Sequence, residues 1–152
     1  MKDPAVSPLD AHLGYWLRFV SNHVSHAFSR MLEARDVTVA EWVMLRALHD
    51  HPALAPSALA DRLGMTRGAI SKLADRLVAK SLVARTLDDG DRRYQALALT
   101  AEGRRLVPEL CALADRNDAD FFGHLAPVER DRLEAVLKDI VRRHGLRAVP
   151  TA

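Results

Sequence analysis

Residues Pro56 to Gly103 read PSALADRLGMTRGAISKLADRLVAKSLVARTLDDGDRRYQALALTAEG, and this stretch decides the fold. Leu59, Ala60 and Leu63 set a short helical pattern that stops at Gly64-Met65. A second helical pattern follows. At 100° per residue, Ile70, Leu73, Ala74 and Leu77 share one side, and Gly68, Ser71, Lys72, Asp75 and Arg76 fall on the other. Thr66 stands where an N-cap belongs. Val83–Leu87 and Gln95–Leu99 then read as strands around the polar turn DDGDRRY, where Gly90 supplies the backbone freedom of a turn.

Helix, tight turn, helix and hairpin is the outline of a winged helix-turn-helix. The polar face of the second helix suits that reading. Gly68 has no side chain to hold the helix away from a base edge. Ser71 can donate or accept a hydrogen bond, and Lys72 and Arg76 can reach a guanine edge or a phosphate. A helix N-terminus at Thr66 and Arg67 attracts phosphate. Taken alone, such a helix is also an ordinary amphipathic one with a solvated face. The basic hairpin decides for the wing. An arginine near its tip fits the strongly negative minor groove. Arg93 is the first candidate and Arg92 the second, with Asp91 placed to brace them. The DNA-contact set is therefore Thr66, Arg67, Gly68, Ser71, Lys72, Arg76, Asp91, Arg92 and Arg93.

The middle third of the chain resembles the MarR family of bacterial transcription regulators. That family's wing pattern, Asp-x-Arg before a strand ending Leu-Thr-x-x-Gly, is matched by Asp91-Arg92-Arg93 and Leu99-Thr100-Ala101-Glu102-Gly103. Its helix pattern is matched by Ser71-Lys72, Leu77 and Ser81-Leu82-Val83-Ala84-Arg85. Two positions depart from it. Ser81 stands where glycine is usual, after a helix end that prefers a left-handed backbone. Ala55 stands where a hydroxyl cap is common.

The flanks are helical. Leu9 to Ala34 reads as one long helix, with Leu9, Leu13, Leu17, Val20, Val24, Phe28 and Met31 or Leu32 as its stripe. Thr38-Val39-Ala40-Glu41 is a capping box opening the next helix, which runs to about Asp50, with Val37 and Trp42 placed as a hydrophobic staple. Thr100 opens a long helix to about Gly123. Pro127 begins a last one to His144, striped by Leu133, Val136, Leu137, Ile140 and Val141. So many apolar stripes need each other or a partner chain. The resemblance implies an interlocked homodimer on a pseudo-palindromic operator in double-stranded DNA.

The expected fold class is mainly α with a small β-hairpin wing, a winged helix-turn-helix flanked by long terminal dimerisation helices. Its parts are an arm and dimerisation helix at 1–35, a DNA-binding lobe at 36–100 and C-terminal dimerisation helices at 101–152. By analogy with the family pocket, Trp16, Phe19, His23, Trp42 and Arg46 are candidates to hold a small aromatic or amphipathic effector. Each of them also reads as plain packing.

Composition narrows the field. The 152 residues are about half apolar, enough for one core, and carry a net charge of only +2. Residues 56–100 hold eight Lys/Arg against five Asp/Glu, net +3, a modest footprint that a dimer would double. The single cysteine, Cys111, excludes an intrachain disulfide and suits a cytoplasmic protein. It is flanked by Leu110 and Leu113 and reads as packing. The peroxide-sensing branch of the family uses a cysteine in the first helix, and this first helix has none. His23 and His26 lie at i, i+3, and His49 and His51 near a helix end, but a metal site would need further ligands that the sequence does not offer. No membrane-length apolar run, signal peptide, phosphate loop or nucleophile elbow is present. The expectation is a regulator without cofactor or catalysis, a repressor released by its effector. The alternative is a small-molecule binding or sequestering protein on the same fold without sequence-specific DNA contact.

Overall fold

The computed structural model describes residues 5–88 and 91–147, and for residues 87, 88 and 91–94 the backbone only. Gly90 lies outside the described residues. The helices are α1 (Leu13–Glu33), α2 (Val39–His49), α3 (Pro56–Leu63), α4 (Arg67–Ala79), α5 (Ala101–Phe122) and α6 (Pro127–Arg143). The antiparallel hairpin of β1 (Val83–Asp88) and β2 (Asp91–Leu99) separates α4 from α5.

The helix starts and stops follow local chemistry. Thr38, Thr66 and Thr100 cap α2, α4 and α5, their hydroxyls accepting from the N–H of Glu41, Ala69 and Gly103 at 3.0–3.1 Å. Pro56 and Pro127 occupy the first helical position of α3 and α6, where a missing N–H costs nothing. α1 and α4 end in one motif. Asp36 (φ 54) and Ser81 (φ 61) take the left-handed conformation, while Val37 donates back to Leu32 O and Leu82 to Leu77 O. Each motif places two apolar residues in the core, Leu32 with Val37 and Leu77 with Leu82.

That core is shared between the lobes. Leu32 and Val37 meet Met44, Leu45 and Leu48 of α2, Leu59 of α3, Ile70, Leu73 and Leu77 of α4, Leu97 of β2, and Val107 and Leu110 of α5. Fully burying one such side chain contributes about 1.5–3 kcal/mol.

Three expectations need correction. The first helix is not continuous from Leu9. Leu9–Ala11 is a single 3-10 turn, His12 is extended (φ −97, ψ 127), and α1 starts at Leu13. The break is closed by side chains: Trp16 Nε1 donates to Asp10 O at 2.8 Å, and His12 Nδ1 lies 3.1 Å from Leu9 O. The capping box at Thr38 has only its Thr half, because the Glu41 carboxylate turns inward to Lys80. The strands run past Leu87 and start before Gln95. The register passes from Leu87↔Gln95 to Asp88↔Asp91, so a bulge in β2 absorbs Arg92, Arg93 and Tyr94. The hairpin is also not alone. Leu54 and Leu97 exchange backbone hydrogen bonds of 2.8 and 2.9 Å, tying the segment before α3 to β2.

The two positions after α4 differ in kind. Ser81 is strained by its own Cβ, whereas Gly103 is glycine because a Cβ there would stand 2.1 Å from Leu82 O. Ser81→Gly should therefore stabilise by about 0.5–1 kcal/mol, raising Tm by roughly 1–4 °C in a scan of the wild-type and variant proteins. Gly103→Ala should destabilise by about 2–3 kcal/mol in urea unfolding, because backbone must move to admit the methyl. An unchanged midpoint for Gly103→Ala would refute the close approach.

Candidate nucleic-acid interface

α4 is held by its apolar side. Ile70, Leu73, Ala74 and Leu77 are buried, while Arg67, Gly68, Ser71, Lys72, Asp75 and Arg76 are exposed, the division that the 100° period sets. Thr66 is exposed at the helix start, so the free N–H groups of the first turn face outward with its hydroxyl. Gly68 differs from Gly103. A Cβ at Gly68 would find only Thr66 Oγ1, at 4.0 Å, so no internal contact requires a glycine there.

Asp75 is not a free anion on that face. It accepts from Arg85 of β1, an ion pair that ties the exposed side of α4 to the hairpin. Sequence reading missed this brace. The only available signal was opposite charge on two neighbouring elements. The backbone of Asp91, Arg92 and Arg93 runs in the first part of β2, with Asp91 opposite Asp88 and Arg92 and Arg93 within the bulge. Their side chains lie outside the described residues, and so does the expected pairing of Asp91 with an arginine.

The five effector-pocket candidates fall in two groups. On α1, Trp16, Phe19 and His23 form a row of tilted rings, with ring centroids 6.4 Å apart for Trp16–Phe19 and 5.0 Å for Phe19–His23. Both larger rings are half exposed. Tyr15 meets Trp16 edge-on at 5.2 Å. On α2, Trp42 packs edge-on against Phe28 at 6.1 Å. Arg46 lies one turn further along and pairs with Asp50 at 2.9 Å. That hydrogen bond raises the Arg46 pKa and holds the Asp50 carboxyl below its ordinary value. The Cys111 thiol of α5 also neighbours Arg46.

Two clefts open on the described surface. One, of about 400 Å³, lies where the α1–α2 turn meets α5 and is lined by Arg35, Asp36, Lys80, Leu82, Arg105 and Glu109. The other, of about 360 Å³, lies between α5 and α6 around Phe122, Leu133 and Leu137. None of the five candidates lines either cleft. Among the described residues no group of three His, Cys, Asp or Glu is disposed to hold a metal ion, and no helix is long and apolar enough to cross a membrane.

The fold and its outward-facing second helix are those of winged helix-turn-helix transcription regulators. A family model described as MarR family matches residues 35–93. A protein of Thauera aromatica, named as a transcriptional regulatory protein for the hcr operon, is 30% identical over 132 residues, covering 86% of this chain and 80% of that one. Among solved structures, Bordetella bronchiseptica BpsR, described for regulation of its DNA binding by 6-hydroxynicotinic acid, matches with a TM-score of 0.78 and 26% identity, over 90% of this chain and 97% of that one. The S. aureus MepR–DNA complex gives a TM-score of 0.79 and 25% identity, over 87% and 98%. The chain belongs to the MarR family of transcriptional regulators.

Proposed function

We propose that this regulator works in the cytoplasm as a homodimer on a pseudo-palindromic DNA operator, and that a small aromatic or amphipathic effector releases it. The observation that carries the reading is the outer face of α4. It presents Ser71, Lys72 and Arg76 beside a glycine that packing does not need, on a helix whose opposite side is locked into the core. Such a face can lie close against base edges in a major groove. Thr66 and Arg67 then meet phosphate, and Arg93 or Arg92, with Asp91, reaches the minor groove from the wing.

Dimerisation is supported by what one protomer leaves uncovered. No residue of α6 is buried, and Leu133, Val136, Leu137, Ile140 and Val141 are each 39–55% exposed. Leu9, Leu13, Trp16, Leu17 and Val20 are 42–80% exposed. Most helical stability in proteins comes from packing of an apolar face, and that of α6 is uncovered, so α6 calls for a partner. The proposed division at 1–35, 36–100 and 101–152 follows, with the outer two parts serving the dimer. In this reading the second protomer also closes a pocket over Trp16, Phe19, His23, Trp42 and Arg46. Release by a small ligand is supported by the regulation of BpsR by 6-hydroxynicotinic acid, and operator binding by the MepR–DNA complex.

Sedimentation at micromolar concentration should give a dimer, and Leu137→Asp in α6 should shift it to monomer. A wild-type monomer would overturn the dimer. The DNA face has a sharper test, because stability and binding should move in opposite directions. Gly68→Ala should gain roughly 0.5–1 kcal/mol of stability, as alanine is the better helix former. It should also lose about tenfold or more in affinity for DNA from the protein's own upstream region, measured at fixed salt. Lys72→Ala or Arg76→Ala should cost about 1–3 kcal/mol of binding with folding intact. Wild-type affinity in all three variants would overturn the assignment of this face, and no DNA binding at all would favour a sequestering protein.

A further inference from the structure

Lys80 closes the C-terminus of α4, and its ammonium joins three elements. Nζ donates to both oxygens of Glu41, at 2.8 and 3.2 Å, and to the backbone carbonyl of Asp36 at 2.6 Å. The Asp36 carboxylate stands 3.8 Å away. Glu41 lies in the first turn of α2 and is 1% exposed. Asp36 is the left-handed residue that ends α1. The helix that faces outward is thus pinned, at its C-terminal end, to the turn through which the DNA lobe hangs from the first dimerisation helix.

Stability alone does not call for ions at this point. Removing a carboxylate and an ammonium from water is costly, and an apolar pair of similar size often does as well. An ion pair with three fixed acceptors does something an apolar contact does not: it sets a direction. The lever is long. α4 has 13 residues, roughly 20 Å at 1.5 Å per residue, and Thr66 to Lys72 among its candidate DNA contacts lie in the half away from Lys80. A swing of about 10° about the Lys80 end moves Thr66 by roughly 3.4 Å, the rise of one base pair along a strand.

We propose that Lys80 and Glu41 are positioning residues for operator recognition. Their pair fixes the angle between α4 and α1, and so the separation of the two recognition helices in the dimer and the half-site spacing that the protein accepts. The proposal rests on the DNA-binding reading above, but its first test does not.

In a Cys111→Ser background, spin labels at Asn22→Cys on α1 and Ser71→Cys on α4 report that angle as a distance within one protomer, when labelled chain is diluted into excess unlabelled chain. Both sites are exposed. Lys80→Met should broaden the distance distribution or shift it by about 3 Å, with the protein still folded by circular dichroism. The second test uses unlabelled protein and operators with half-sites about 10 base pairs apart and one base pair more or fewer. Wild type should prefer one spacing by about tenfold, and Lys80→Met should prefer it by less than about threefold. Glu41→Gln, which keeps the shape and removes the charge, should fall between them. If Lys80→Met does not fold, the double variant Glu41→Leu/Lys80→Met supplies both measurements. Unchanged distances, or an equal loss of affinity at all three spacings, would overturn the proposal. Failure of wild type to bind any DNA would instead remove the reading in Proposed function, leaving the distance measurement to decide the role of the pair.

Discussion

The first turn of α5 rests on the backbone that leaves α4, and the relation between the two halves of the molecule depends on that contact. Thr100 does three things there. Its N–H donates to Leu82 O at 3.1 Å, its hydroxyl donates to Ser81 O at 2.7 Å, and the same oxygen accepts from Gly103 N–H at 3.0 Å. Gly103 lets the helix close to a distance that a Cβ would forbid. The start of the long C-terminal helix is therefore referenced to the end of the recognition helix by one backbone bond and by the Thr100 hydroxyl, which is itself held at both ends. The Lys80 joint does the same on the other side, toward α1. One short segment, residues 80–82, thus takes its position from the α1–α2 turn and hands it to α5.

This explains why the core is built across the lobes. Leu77 and Leu82 close the α4 end motif and are buried with Leu32 and Val37, which close the α1 end motif, and with Val107 and Leu110 of α5. Two left-handed residues without the freedom of glycine, Asp36 and Ser81, stand at these joints. Asp36 is held by Lys80 on its carbonyl. Ser81 is held by Thr100 on its carbonyl. In both places the strain of roughly 1–2 kcal/mol sits where side chains from elsewhere in the chain fix the backbone.

Much of this was legible in the sequence wherever the determinant was local. The face of α4 follows from a 100° period, the three threonine caps from residue type, the left-handed Ser81 from its place after a helix end, and the Leu-Thr-x-x-Gly run from its resemblance. What escaped depends on distant partners. Glu41 is an N3 glutamate to any local rule, and only the approach of Lys80, 39 residues on, turns its carboxylate inward. Leu9 to Ala11 carries the same apolar period as α1, so the break at His12 is invisible until the Trp16 indole takes the Asp10 carbonyl. The bridge joins Leu97, which reads as part of the strand Gln95–Leu99, to Leu54, which no local pattern assigns to a strand. The bulge in β2 hides in a polar run that patterning assigns to a turn. For the site, the sequence indicated which side chains of α4 face outward. It did not show that Arg85 and Lys80 are already engaged, one with Asp75 and the other with Glu41.

Those two engagements change how the charge of the lobe should be read. Eight Lys and Arg occupy residues 56–100, against five Asp and Glu. Lys80 faces a buried carboxylate and Arg85 pairs with Asp75 on the exposed side of α4, so both are engaged within the chain before they meet any phosphate. Among the described residues, Arg62, Arg67, Lys72 and Arg76 remain as exposed cations of the lobe outside such pairs. Four such groups would release few counterions. At roughly 0.9 in the logarithmic salt slope per neutralised phosphate, one protomer falls short of the steep salt dependence of tight operator binding. Two protomers held at a fixed separation double the footprint and add the wing arginines of both. Electrostatics and geometry then make the same demand. A lobe with this little free charge gains grip from a second copy, and the second copy helps only if the joints at Lys80 and Thr100 hold both recognition helices in register with the DNA.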